Sequence, residues 1–258
     1  MLHSSTRVVG VFTSLLILWQ FAVWITDSPP YLLPPPRLVL LSFYSDSALL
    51  YRHALVTGAE IVAAYCIAVM LGLFIGTLLY SVRSLRTLLL PALLVSQILP
   101  IFALAPLFVL WFGYGAASKI VMAVLVCFFP VVLAVYEGLR QSPRPYVDFA
   151  ASVNTPFWPL LWRVLLPAAL PILTPAFKLA AVFAPLGAIL GEWVGAEAGL
   201  GYLMLQASGR LRIDLLFSAI GCLALMTLGL YALVCLALKR LQPWRMDIFI
   251  TEQRSYLS

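Results

Sequence analysis

Charged residues make up only 10% of this 258-residue sequence, against about 25% in soluble chains. That is too little charge to clothe a water-soluble domain, so a soluble enzyme or binding module is excluded. Histidine is scarce: His3 and His53 stand isolated, and neither reads as a metal ligand. The four cysteines, Cys66, Cys127, Cys222 and Cys235, form no C-x-x-C pair and all fall inside apolar runs. They read as small packing residues and imply neither disulfide nor structural metal. The net charge is +6, yet no basic run of five or more occurs. Lys and Arg stand singly at the ends of apolar segments, which argues against nucleic acid as a partner and fits topology determinants. There is no G-x-x-x-x-G-K-[ST] loop, so the chain does not hydrolyse ATP by that route. An intramembrane enzyme finds no support either, because no His-rich cluster, Asp pair or G-x-S-x-G motif is present.

What is abundant is apolar sequence. Hydrophobic residues reach 63% and the mean hydropathy is +1.03. Several apolar runs are roughly 18 to 27 residues long, enough to cross a bilayer as helix. The expected fold is an all-α polytopic membrane protein, one membrane domain with six spans at 8–25, 54–80, 87–112, 120–136, 167–190 and 213–238. The first run follows Arg7 and is too long and bulky for a signal peptide. Residues 29–53 form an outer interfacial segment. Its PPYLLPPP start is extended, and Arg37 to Tyr44 and Ser47 to His53 are two short interfacial helices. Residues 137–166 form a cytoplasmic segment, 191–212 an outer loop with a short amphipathic helix, and 239–258 a cytoplasmic tail.

The charges agree with this threading. Arg7, Arg83, Arg86, Arg140, Arg144, Arg163, Lys239, Arg240, Arg245 and Arg254 fall on one side, and Arg37, Arg52, Lys119, Arg210 and Arg212 on the other. Positive residues favour the cytoplasm, so both termini are expected inside.

Few polar groups lie within the spans. Gly72 and Gly76 form a G-x-x-x-G, which reads first as a packing contact. Glu60 is either an interfacial carboxylate or an intramembrane functional group. The third span carries Pro91, Pro100 and Pro106 beside Ser96 and Gln97. Prolines free backbone carbonyls that neighbours or cavity water must satisfy, so this span is expected to face the protein interior. Gln97 and the carbonyls near Pro100 either line a translocation path or belong to a kinked packing helix. Lys178 either snorkels to the cytoplasmic surface or lines the path.

The stretch from Asp148 to Pro171, DFAASVNTPFWPLLWRVLLPAALP, separates two apolar blocks and cannot itself lie in lipid. A helix through Ala150 to Val153 stops at Asn154, which tolerates the left-handed conformation. A second short helix begins at Thr155-Pro156 or nearer Pro159. This helix–turn–helix suits docking on a soluble partner.

The same stretch resembles the cytoplasmic loop of bacterial ABC importer permeases, with Asp148 at the Glu position, Phe149 and Ala150 at the Ala positions, Asn154 at the Gly position, and Leu166-Pro167 closing it. The run SQILPIFALAPLFVLWFGYGAASK, Ser96 to Lys119, resembles the signature of the nitrate, sulfonate, taurine and thiamine-pyrimidine-precursor subfamily. The phrase GEWVGAEAGLGYLM, Gly191 to Met204, is similar to thiamine-pyrimidine-precursor members. The resemblance implies a type I ABC importer permease in the bacterial inner membrane, working by alternating access. Asp148, Phe149, Ala150, Asn154 and Pro167 would couple it to a cytoplasmic ABC ATPase subunit, which binds ATP and Mg in place of any cofactor in this chain. A periplasmic or lipid-anchored solute-binding protein and a homodimer of the permease are implied as further partners. Glu192 would sit at the outer mouth of the path, with a solvated carboxylate as the alternative. The implied solute is a thiamine pyrimidine precursor of the hydroxymethylpyrimidine type, followed by sulfonate or taurine, then nitrate or riboflavin. An ion-coupled secondary transporter, the reading from another class, would need inverted repeats and mid-membrane charges. The two halves show no repeat, and dependence of uptake on ATP or on a proton gradient separates the two.

Overall fold

A computed structural model describes residues 2–242, and every element in it is a helix. A backbone in lipid must satisfy its own polar groups, and the helix does so within one segment. The elements are α1 (Leu2–Thr26), α2 (Pro36–Ser45), α3 (Ser47–Ser81), α4 (Arg83–Ser96), α5 (Ile101–Phe112), α6 (Ala116–Arg140), α7 (Arg144–Ser152), α8 (Phe157–Leu160), a π-helical turn (Leu161–Leu165), α9 (Leu166–Trp193), α10 (Leu200–Gly209) and α11 (Ile213–Leu241). Among the described residues four helices are long and apolar enough to cross a membrane: α3, α6, Phe157–Trp193 and α11. The pair α4 and α5, bent by 104°, makes a fifth if counted as one span, and Thr13–Thr26 is a shorter apolar helix.

The core is the three-helix contact of α3, α6 and α9. Ala64 and Ala68, Ala123 and Cys127, and Ala180, Ala184 and Ala188 are buried together there. Small residues set the spacing, because without hydrophobic drive between helices in lipid it is close packing that holds them. Gly72 and Gly76 face Val131 and Val135, and a Cβ on Gly76 would lie 2.6 Å from Val135 Cβ. Gly187 faces Ala123, with a Cβ only 2.5 Å from its Cα. The G-x-x-x-G is therefore a packing contact.

Most element bounds shift by a few residues from the sequence expectations, and the Pro29 to Leu33 stretch, expected extended, makes a turn in which the Leu32 N–H bonds Pro29 O at 2.8 Å; three differences are larger. Ser47 to His53 is no separate interfacial helix but the first two turns of α3, because the only break is at Asp46 and no breaker separates His53 from Ala54. The third expected span divides at Gln97 to Pro100, where Pro100 has no N–H to give and forces the residue before it out of the helical region. Finally, the second short helix expected after Asn154 does not stand apart: α8, the π turn and α9 run on as one helical stretch. The chain is helical from Phe157 to Trp193. Pro159 lies in the first turn, whose N–H groups have no helical partner anyway. Pro167 is reached through the π turn, in which the Leu166 N–H bonds Leu161 O. Residues 239–242 end α11 and its cap; the rest of the expected tail, with Arg245 and Arg254, lies outside the described residues.

Candidate functional site

Two regions at opposite ends of α9 hold most of the expected functional residues. At its C-terminal end, Glu192 is 0% exposed. Gly195 (φ +92°) and Gly199 (φ +116°) turn the chain back, so that α10 begins directly over the Glu192 carboxylate. The Gly201 N–H donates to Glu192 Oε2, and Thr57 Oγ1 donates to Oε1 at 2.6 Å. The Leu200 N–H donates to Thr57 Oγ1 at 2.7 Å, and the Gly199 N–H to His53 Nδ1 at 3.0 Å. A helix leaves its first N–H groups unpaired. Here side chains of α3 and α9 meet them, and a carboxylate suits the positive end of the helix dipole. The fit leaves no spare room: a Cβ on Gly199 would lie 2.3 Å from Glu192 Cδ, and one on Gly201 2.9 Å from Oε2.

Two more charges share this layer. Glu60 lies on the same α3 stripe as His53 and Thr57, is 4% exposed, and its Oε2 has no hydrogen-bond partner. Lys119 is also buried; its Nζ donates to Tyr114 O, to Gly115 O at 2.9 Å and to Gly195 O at 3.1 Å. It laces the α5–α6 turn to the α9–α10 loop. Outside the layer, Arg212 bonds Asp46 Oδ2 at 2.7 Å and clasps the α2–α3 junction to the start of α11. The Arg212 guanidinium holds the Asp46 carboxyl below its ordinary range.

Of the expected path residues, Glu60 and Glu192 come together, and neither is the solvated carboxylate that was the alternative. Lys178 is half-buried and sits fourteen positions before Glu192 on the same helix, about 21 Å along the axis. Gln97 and Pro100 lie exposed at the α4–α5 bend, not in the interior of this chain. Thr57, His53 and Lys119 border the two carboxylates, and the sequence analysis did not place them among the site residues. The signal was there for two of them: His53, Thr57 and Glu60 follow the i, i+4, i+7 rule for one helix face.

At the other end of α9, α7 carries exposed Asp148 and Phe149, the latter 70% exposed, while Ala150 is buried. Asn154 takes φ +50° and reverses the chain, with the Thr155 N–H bonding Ala150 O at 3.0 Å. Pro156 then caps α8, where Phe157 and Trp158 stack edge-on. Pro167 follows the π turn in the first turn of α9. Exposed aromatics beside a sharp turn form an apolar patch suited to a protein partner.

The family model described as "binding-protein-dependent transport system inner membrane component" matches residues 68–245. A probable ABC transporter permease protein of Haemophilus influenzae is 44% identical over 87% of this chain and 90% of its own length. The riboflavin transport system permease protein of Chloroflexus aurantiacus is 36% identical, covering 89% of this chain and 87% of that protein. The formylaminopyrimidine transport permease protein of Halalkalibacterium halodurans is 31% identical, covering 91% and 94%. Among solved structures, an inward-facing methionine ABC transporter shares the fold with a TM-score of 0.67, 19% identity, and 76% of this chain and 98% of that chain covered.

Proposed function

The chain belongs to the family of inner membrane components of binding-protein-dependent transport systems, a multi-pass permease of an ABC importer, and from that premise we propose that it imports a pyrimidine-type heterocycle. The relatives that carry the solute reading are those named for riboflavin and for formylaminopyrimidine. Both names denote solutes with a pyrimidine ring, fused in one and free in the other. The best single solute is a thiamine pyrimidine precursor, on the Gly191 to Met204 phrase; riboflavin is the second reading, on the higher identity of its relative.

The proposed assembly is a homodimer of this chain, two cytoplasmic ATPase subunits that bind ATP and Mg, and an external solute-binding protein. The α7–Asn154 turn then faces the ATPase on the cytoplasmic side, where both termini are proposed to lie, and α10 faces the binding protein. The observation that carries the coupling role is the exposed Phe149 helix followed by a reversal at Asn154 that leads straight into α9. ATP draws the two ATPase subunits together, α7 moves with them, and the helix from Phe157 to Trp193 carries that motion towards the opposite face. Gln97, Pro100, Lys178, Glu60 and Glu192 remain the proposed path residues. This chain holds and reshapes the path, and hydrolysis takes place in the partner.

The test is purification of the tagged chain from native membranes in mild detergent. Recovery of an ATPase subunit at equal stoichiometry, with uptake lost in Asp148→Ala or Asn154→Pro, supports the assembly. A chain that purifies alone and supports uptake in ATP-free vesicles under a proton gradient refutes it. Pyrimidine, riboflavin and sulfonate binding by the cognate binding protein then decides the solute.

A further inference from the structure

The outer layer buries three charged side chains that make no ion pair with one another. Among the described residues every ion pair lies elsewhere. The Lys119 ammonium gives its protons to three carbonyls, the Glu192 carboxylate accepts from Thr57 and Gly201, and Glu60 Oε2 is left without a partner. Yet the three are neighbours. Gly191, next to Glu192, packs so closely on Lys119 that a Cβ there would lie 2.8 Å from the Lys119 Cα. Thr57, which donates to Glu192 Oε1, lies three positions before Glu60 on α3, so the two glutamates share one layer. The carbonyls that Lys119 holds belong to or adjoin two left-handed glycines, Gly113 (φ +79°) and Gly195 (φ +92°). Those turns close the outer end, with a Cβ on Gly195 only 2.9 Å from the Tyr114 ring.

We propose that Lys119 and Glu60 form a partner-exchange switch at the outer mouth. In the state described here the ammonium ties the Gly113–Gly115 turn to Gly195 and holds the mouth shut. When the mouth opens those carbonyls part, and a buried ammonium cannot be left unpaired. Lysine carries a compact charge on a flexible four-carbon stem, so it swings to the vacant Glu60 oxygen. Glu192 stays on the α10 N-terminus throughout, because Thr57 and Gly201 already hold it. Glu60 and Lys119 are thus positioning residues that set the balance between closed and open mouths. The inference rests on the importer reading, since only a transporter with two access states has use for the exchange.

The discriminating variant is Glu60→Gln in the complete transporter reconstituted with its binding protein. Its Oε2 has no partner in the closed state, so the thermal midpoint stays within about 3 °C of the parent. The open state loses the charge that would receive Lys119, so ATP-driven uptake falls by about tenfold or more. Glu60→Asp restores the charge and recovers most of the uptake. Spin labels at Tyr114 and Val194 give the second reading: ATP-vanadate trapping lengthens their separation in the parent and leaves it short in Glu60→Gln. Uptake by Glu60→Gln within about twofold of the parent, or a lengthened separation in that variant, overturns the exchange, as does a midpoint lowered by more than about 5 °C. Absence of ATP-driven uptake in the parent itself refutes the importer reading, a different failure.

Discussion

Replacing Gly199 by alanine tests the outer layer most sharply. Gly199 sits at φ +116° and ψ 164°, a region essentially reserved for glycine, and a side chain there costs about 1–3 kcal/mol of backbone strain. The new Cβ would also lie 2.3 Å from Glu192 Cδ and Oε1 and 2.4 Å from Oε2. Contact that close forces the carboxylate to move. Its retreat breaks the bonds from Thr57 Oγ1 and the Gly201 N–H, and each buried group left unpaired costs about 1–3 kcal/mol. Together the terms come to about 3–9 kcal/mol, or a midpoint lower by at least about 6 °C for a chain of this size. The control is Gly221→Ala in mid-α11, where a Cβ meets nothing within 4 Å and stability rises by about 0.5–1 kcal/mol. The assay is thermal unfolding in one detergent. Adding Glu192→Ala to Gly199→Ala removes the collision, so the double variant is less destabilised than the two single losses combined. A Gly199→Ala midpoint within about 1 °C of the parent refutes the account of how α10 is held.

Thr57→Val keeps the shape of the side chain but orphans the Leu200 N–H and one Glu192 oxygen; thermal unfolding should show a loss of about 2–5 kcal/mol, and an unchanged midpoint would remove Thr57 from the layer. Gly187→Val overpacks the α6–α9 contact against the Ala123 backbone, lowering stability by about 1–3 kcal/mol or more on the same assay. Asn154→Gly accepts the positive φ and retains uptake, whereas Asn154→Pro cannot adopt +50° and loses it, with the membrane midpoint held within about 3 °C. Because Arg212 lowers the Asp46 pKa, the pair adds stability above the unfolded carboxyl value of about 3.9 and loses it as pH falls through the lower folded value. The midpoint gap between parent and Asp46→Asn should therefore close on acidification, and a gap that widens would contradict the sign.

How much of this was legible in the sequence follows from what each feature depends on. Local chemistry was readable. Prolines flanking Gln97 announced an irregular third span, though not its division in two; Asn154 announced a left-handed reversal, and the Gly72–Gly76 spacing a close helix contact. Features that depend on a distant partner were not. Glu60 and Glu192 stand 132 positions apart, and nothing near Glu60 says that Gly199 to Gly201 will fold over its neighbour Thr57. Lys119 ends a glycine turn and reads as a topology charge; only the approach of Gly191 and Gly195 buries it. The long helix begins at Phe157 and not at the expected 167, because Pro156 caps it, Pro159 sits in its first turn, and a π turn carries the chain on to Pro167.

The close fit of α3, α6 and α9 has a mechanical consequence. At Gly72, Gly76, Gly138, Gly187 and Gly191 a single added methyl would collide with the facing helix. Surfaces meshed at so many levels cannot slide by a fraction of a turn without driving a neighbouring side chain into one of those gaps. The three helices therefore travel as one stiff block, and the compliance of the molecule is concentrated in its joints: the Asn154 reversal, the π turn at Leu161–Leu165, and the glycines at 113 and 195. On the proposed coupling role of α7, a force applied there would reach the far end with little loss to internal deformation, as a lever works only when its arm does not bend.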